Sequence, residues 1–236
     1  MKTIGMIGGT SWESTQLYYQ QLNERTAQAL GGLHSARCIL YSLEFGEVYA
    51  HMERGDWDAA AEITAQAAKA LEDAGADFLI LCANTSHKFC PAIEQRVSIP
   101  ILHIVDAVVE AIRARGMRTV GLLGTRYTMQ EDFYLPRLEA EGIRVLLPEA
   151  AEMEEVNRII YEELCVGTVK ESSRDTLSAL VEVMHAEGAE GVILGCTELG
   201  MILKDEDAAI PLLDTVKIHS EAAVKLALEE SMNAHK

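Results

Sequence analysis

Two cysteines stand where chemistry is expected. Cys82 ends the apolar run Leu79-Ile80-Leu81 and leads into Ala83-Asn84-Thr85-Ser86-His87; Cys196 ends Val192-Ile193-Leu194-Gly195 and leads into Thr197-Glu198. Each run reads as a buried strand, and ligands of open α/β sheets bind outside the carboxyl ends of the strands. A thiol there can give a proton and a thiolate can take one. A helix N-terminus beyond each cysteine would lower the thiol pKa and so raise the thiolate fraction. A single cysteine at a strand end is most often a small buried hydrophobe. Two at matching ends, each beside hydroxyl, amide or carboxyl groups that are costly to bury without partners, point instead to a site. Cys38, Cys90 and Cys165 lack this correspondence and read as packing or surface residues.

The elements that would position these thiols alternate along the chain. Short apolar runs rich in β-branched residues, near 3–8, 36–43, 77–82, 99–102, 119–124, 143–147, 190–195 and 210–213, are separated by segments of helical period. This is the pattern of parallel strands joined by crossover helices. In the segment from Glu171, Leu177, Leu180, Val181 and Met184 form one apolar stripe, and Gly188 is placed to stop the helix. Three stretches of the first half recur in order in the second. Ile4-Gly5-Met6-Ile7-Gly8 matches Val120-Gly121-Leu122-Leu123-Gly124, shifted by 116 residues; the runs from Gly75 and Gly188, each leading into a cysteine, are 113 apart; Ile99-Pro100-Ile101-Leu102 and Ile210-Pro211-Leu212-Leu213, each followed by an aspartate (Asp106, Asp214), are 111 apart. One such pair is ordinary α/β punctuation, whereas three ordered pairs indicate duplication of one α/β unit. The expected architecture is two similar α/β lobes related by pseudo-twofold symmetry, each a four-stranded, mostly parallel sheet flanked by helices. Residues 1–100 with 210–236 would form the first, carrying Cys82, and 101–209 the second, carrying Cys196.

If the two lobes face each other, the cysteines approach a bound molecule from opposite sides. Inverting a stereocentre through a carbanion requires one group to remove a proton from one face and another to deliver a proton to the other. A thiol and a thiolate that exchange roles meet that requirement, so the pair suits racemisation.

These residues resemble the cofactor-independent aspartate/glutamate racemases. Cys82-Ala83-Asn84-Thr85 is similar to the family's first catalytic motif and Gly195-Cys196-Thr197-Glu198 to its second, while Gly8-Gly9-Thr10-Ser11-Trp12-Glu13-Ser14 and Gly124-Thr125 with Thr128 resemble its substrate loops. The resemblance implies flavodoxin-like lobes and racemisation of a free amino acid without pyridoxal phosphate or any other cofactor, by a chain commonly assembled as a homodimer. It gives Cys82 and Cys196 the acid/base roles and assigns Asn84, Thr85, Thr125, Thr128 and Thr197 to the substrate's α-carboxylate and ammonium. The loop Thr10-Ser11-Trp12 would close one side of the pocket; the alternative is a glycine turn with Ser11 capping a helix and Trp12 packing. Lys170 resembles a lysine that contacts the distal carboxylate in some members, and a lone loop lysine is otherwise simply solvated. Glu198, where glutamate racemases place histidine, points to the aspartate-type or broad-specificity branch; it could orient or help deprotonate Cys196, or cap the next helix. Many aspartate racemases of this kind carry an arginine for the side-chain carboxylate, and the comparable region here reads Ser42-Leu43-Glu44-Phe45-Gly46-Glu47. The side-chain contact is therefore unassigned, and aspartate, glutamate and neutral amino acids all remain open.

Composition bounds the rest. A net charge of −17 repels phosphate backbones and anionic lipid, which argues against nucleic-acid or membrane-surface partners while leaving small anions possible at helix ends. No run approaches the ~20 apolar residues of a membrane helix, and five cysteines without a CxxC pair suit reduced thiols, so a cytoplasmic location is expected. Gly5-Met6-Ile7-Gly8-Gly9 lacks the GxGxxG spacing of a dinucleotide site. His87 and Cys90 do not extend to four metal ligands, and His34, His51, His103 and His219 read as structural or solvated. The rivals that remain are decarboxylation or dicarboxylate isomerisation on the same scaffold, which need only one of the two cysteines for proton transfer, and a non-catalytic amino-acid sensor.

Overall fold

The computed structural model describes residues 1–233. The chain divides into two compact units, one of residues 1–104 with the chain from His219 on, the other of residues 105–218. In the first unit the strands β1 (Ile4–Gly8), β2 (Cys38–Ser42) and β3 (Phe78–Leu81) form a parallel sheet in the order β2-β1-β3. In the second, β4 (Thr119–Gly124), β5 (Arg144–Leu146), β6 (Val192–Gly195) and β7 (Leu212–Asp214) are parallel in the order β5-β4-β6-β7. The order β2-β1-β3 corresponds to β5-β4-β6 in the second sheet, as a duplicated α/β unit requires.

Two details differ from the sequence reading. The expected fourth strand at 99–102 contributes a single bridge, Leu79 to Ile101, flanked by hydrogen bonds from Leu79 N–H to the Pro100 carbonyl and from Leu102 N–H to the Leu79 carbonyl. The chain then enters the helix Ile104–Ala114 two residues after Leu102. The return to the first unit also comes later than 210. Val192, Ile193 and Leu194 pair with Leu212, Leu213 and Asp214, which keeps the whole of β7 in the second unit until His219.

Burial follows from the parallel topology. All five residues of β1 and all four of β3 are buried, because helices cover both faces of such a sheet. Each of Phe78, Leu79, Ile80 and Leu81, at 1% exposure or less, contributes about 1.5–3 kcal/mol relative to an exposed side chain. The helix Trp57–Asp73 packs on β1 and β2 through Ala60, Thr64, Ala65, Ala67, Ala68 and Leu71; the small side chains admit a close approach, and Asp56 caps its first turn through the Ala59 N–H. In the helix Glu171–Ala186 the stripe Leu177, Leu180, Val181 and Met184 is buried, and Gly188 ends it at φ 100° with its N–H on the His185 carbonyl. Among the described residues no helix is long and apolar enough to cross a membrane.

Candidate active site

Within the first unit, Cys82 follows β3 directly and its N–H donates to the Ile7 carbonyl at 2.8 Å, so the β1–β3 ladder itself fixes the cysteine. Its carbonyl accepts from Ser14 Oγ at 3.2 Å, which ties the start of the helix Trp12–Leu30 to the same point. The loop between β1 and this helix is bonded to itself. Ser11 caps the helix, accepting from Ser14 N–H, while Thr15 Oγ1 donates to the Ser11 carbonyl at 2.8 Å and accepts from Gly9 N–H at 2.8 Å. Gly9 sits at φ 91°, and a Cβ there would run into the backbone of Leu43, so no other residue lets β1 turn this tightly. Thr10 Oγ1 lies 3.4 Å from Ser86 Oγ, joining the loop to the segment after Cys82. Ser11 therefore caps, as one sequence alternative had it, but Trp12 does not pack: it is 64% exposed. Asn84 is buried, and Thr85, half-buried, begins the 3-10 turn Thr85–Phe89.

The second unit repeats the arrangement with different polar groups. Thr125 caps the helix Arg126–Gln130 by accepting from Thr128 N–H, and the two hydroxyls are 3.1 Å apart. Thr128 has no exposed surface and packs against Gly124 and Gly195, where an added Cβ would meet it at 3.1 Å. The observed work of Thr128 is to hold Thr125. Cys196 follows β6 and donates its thiol hydrogen to Glu198 Oε2 at 2.9 Å; Thr197 Oγ1 donates to the same oxygen at 2.7 Å. All three residues are buried, and the Glu198 side chain makes no N-cap bond to the helix Leu199–Ile202.

Neither thiol is activated by a helix, contrary to the sequence expectation. Burial pushes the Cys82 thiol far up, with the Cys38 charge a smaller addition. Burial likewise raises Cys196 well above the usual thiol range, followed by the negative charge of Glu198 and then that of Cys165. The helices beyond the cysteines, Cys90–Glu94 and Leu199–Ile202, have five and four residues, and so short a stack of peptide dipoles does not offset the desolvation of a thiolate. Both thiols rest protonated.

Lys170 precedes the helix Glu171–Ala186, half exposed, with Nζ 3.1 Å from Glu163 Oε1. Glu163 is buried and also accepts from Arg158 Nη1 at 2.8 Å and from Ser173 Oγ at 2.6 Å; chiefly the serine bond, then the two cations, hold its carboxyl down at about 2. The turn Leu164–Val166 leads from this cluster and carries the Cys165 that acts on Cys196. Lys170 is thus neither free nor simply solvated. Glu163, Arg158 and Ser173 escaped the sequence reading, because an acid in the run Tyr161-Glu162-Glu163 carries no sign of which glutamate turns inward.

The sequence profile of the Asp/Glu/Hydantoin racemase family matches residues 7–223. The chain belongs to this family. Among solved structures, a candidate Asp/Glu racemase from Yersinia pestis is 46% identical, with a TM-score of 0.90 over 97% of this chain and 100% of that one. An aspartate racemase homologue from Pyrococcus horikoshii OT3 is 41% identical, with a TM-score of 0.84 over 96% and 99%. The broad specificity amino-acid racemase RacX of Bacillus subtilis is 28% identical over 162 residues, 67% of this racemase-family chain and 68% of that protein.

Proposed function

We propose that the protein is a cofactor-independent racemase of free amino acids with broad side-chain tolerance, in which Cys82 and Cys196 act on opposite faces of Cα. The observation that carries this reading is the thiol of Cys196 held on the buried carboxylate of Glu198, at a strand end whose counterpart in the other unit is Cys82. Family membership and the likeness to a broad specificity racemase support the reaction class.

Glu198 takes the Cys196 proton, and the resulting thiolate removes the Cα proton. The Cys82 thiol then delivers its own proton to the other face of the carbanion. Cys196 is left as thiol, Cys82 as thiolate and Glu198 as carboxylic acid; a proton passing from Glu198 to Cys82 through water restores the starting state. Asn84, Thr85, Thr125 and Thr197 supply amide and hydroxyl donors for the α-carboxylate, where negative charge develops in the transition state, and the loop bearing Thr10, Ser11 and Trp12 covers the substrate. The wide tolerance is supported by the Glu163 partner of Lys170 and by Glu44, in the Ser42–Glu47 stretch, whose carboxylate caps its own helix through Gly46 and Glu47 N–H.

The test is a panel of L- and D-amino acids incubated with the protein in deuterated water and followed by proton NMR and chiral chromatography. Loss of the Cα proton signal with formation of the opposite enantiomer is expected. Cys82→Ser and Cys196→Ser, each folded, should abolish racemisation; full activity in either variant refutes the paired mechanism, and no exchange with any amino acid refutes the reaction.

A further inference from the structure

Three histidines are buried together in the first unit, and the reaction above uses none of them. His87, His103 and His219 are at most 5% exposed; the His87 ring lies 4.6 Å from that of His103 and 5.7 Å from that of His219, centroid to centroid. Their partners fix the protons. His87 Nε2 faces the Ile104 N–H at 3.1 Å and must accept, so Nδ1 carries the hydrogen and donates to the Ala83 and Asn84 carbonyls at 3.0 and 3.2 Å. His219 is the opposite tautomer: Nε2 faces the Leu102 carbonyl at 2.8 Å and must donate, so Nδ1 accepts from Tyr18 Oη at 2.9 Å. Both rings are neutral, and burial first, then His103 and His219, hold His87 well below the ordinary imidazole range.

The groups joined in this way are not arbitrary. Ala83 and Asn84 form the turn immediately after Cys82, whereas Ile104 is the last residue before the chain leaves this unit and His219 the first after it returns. We propose that His87 is a positioning residue: as the Nδ1–H tautomer it clamps the Cys82-Ala83-Asn84 turn to the backbone of the exit segment at Ile104, and His219 secures the same segment two residues earlier, at Leu102. The catalytic turn is thereby held to the point about which the chain passes between its two units. This rests on the racemase reading for its consequence, but not for its geometry.

Two variants separate the two bonds of His87. His87→Asn keeps a donor near Nδ1 for the turn carbonyls and loses the acceptor for Ile104; His87→Gln keeps an acceptor near Nε2 and loses the donor to the turn. His87→Asn should retain most of kcat, whereas His87→Gln should lose on the order of 10²-fold in kcat with KM little changed, the scale expected when a reacting group is misplaced by about 1 Å. Equal kcat in the two folded variants overturns the proposal. Independently of activity, long-range proton–nitrogen NMR of the ¹⁵N-histidine-labelled wild-type protein should show His87 as the Nδ1–H and His219 as the Nε2–H tautomer, both neutral at pH 7. An Nε2–H or cationic His87 overturns it even if both variants fail to fold. If the wild-type protein exchanges no Cα proton, the racemase reading fails, and the tautomers still decide the clamp.

Discussion

Replacing Glu198 by glutamine gives two measurable effects of opposite sign. The substitution keeps an oxygen that can accept from Cys196 and Thr197, now at 2.9 and 2.7 Å from Glu198 Oε2, so the buried cluster stays bonded and the fold is expected to be retained. What disappears is the negative charge and the ability to take a proton. The charge is the second-largest reason, after burial, that the Cys196 thiol resists ionisation. Its removal lowers that pKa, and alkylation of Cys196 by iodoacetamide at fixed pH should become faster. Removing the proton acceptor has the reverse effect on turnover, since positioned general bases contribute on the order of 10²–10⁴-fold, equivalent to about 2.7–5.5 kcal/mol of barrier. Enantiomers have equal free energy in water, so kcat/KM must fall alike in the L-to-D and D-to-L directions. The assay pairs both rates with mass-spectrometric alkylation of Cys196 over pH 6–9. If racemisation rises together with alkylation, thiolate population is limiting and Glu198 is not the proton acceptor.

Two pH responses follow from buried groups away from the thiols. Glu163, with its carboxyl held at about 2 against an ordinary 4.5, contributes stability that is present above the ordinary value and is lost as pH falls from 4.5 towards 2. Because Arg158 and Lys170 are partly exposed, the contribution is about 1–3 kcal/mol, and Glu163→Gln should show a correspondingly shallower loss of melting temperature in that window. His219, pushed down to about 4 by burial, must stay neutral in the folded protein, whereas the unfolded chain takes up its proton near 6.5. Stability should therefore fall by about 3 kcal/mol as pH drops from 6.5 to 4 and then level off for this group, a slope that His219→Gln should flatten in urea titrations.

The fold was legible because its signals are local and repeated. β1 and β4 are apolar runs closed by glycine, and Gly188 ends the helix that the stripe at 177–184 begins; each needs only a few neighbouring residues to be recognised. The edges of the two sheets were less so. Ile99-Pro100-Ile101-Leu102 and Ile210-Pro211-Leu212-Leu213 are nearly the same string and each runs into a helix two residues after its last leucine, yet one gives a single bridge and the other a three-residue strand, a difference that nothing in the local string marks. Among the site residues, cysteines, threonines and Asn84 stood out by their place after strands. His87 and Glu163 did not. Their partners lie 17 residues away at Ile104 and 10 away at Ser173, and a contact set by folding leaves no spacing to read.

The raised pKa of both thiols bears on the chemistry rather than against it. The Cα–H of an amino acid is a very weak acid, and a thiolate whose conjugate acid is weaker is the stronger base towards it. Each unit by which burial raises the thiol pKa cuts the resting thiolate population tenfold, while the gain in proton-transfer rate is less than tenfold, because proton transfer is partial at the transition state. Burial alone therefore loses more than it gains. The balance changes if the proton can leave for a neighbour once substrate has displaced water, and at Cys196 that neighbour is in contact already: Glu198 Oε2, itself buried and bonded by Thr197. At Cys82 the causes of the shift are burial and Cys38, with no carboxylate among them. The two thiols are accordingly unequal at rest: Cys196 is bonded to a carboxylate, whereas the shift at Cys82 has no carboxylate among its causes. With substrate deuterated at Cα, the enantiomer that presents its Cα hydrogen to Cys196 should carry a primary isotope effect sensitive to Glu198→Gln. The opposite enantiomer should show a smaller change in its isotope effect, and equal changes for both would mean that the carboxylate only holds the sulfur in place.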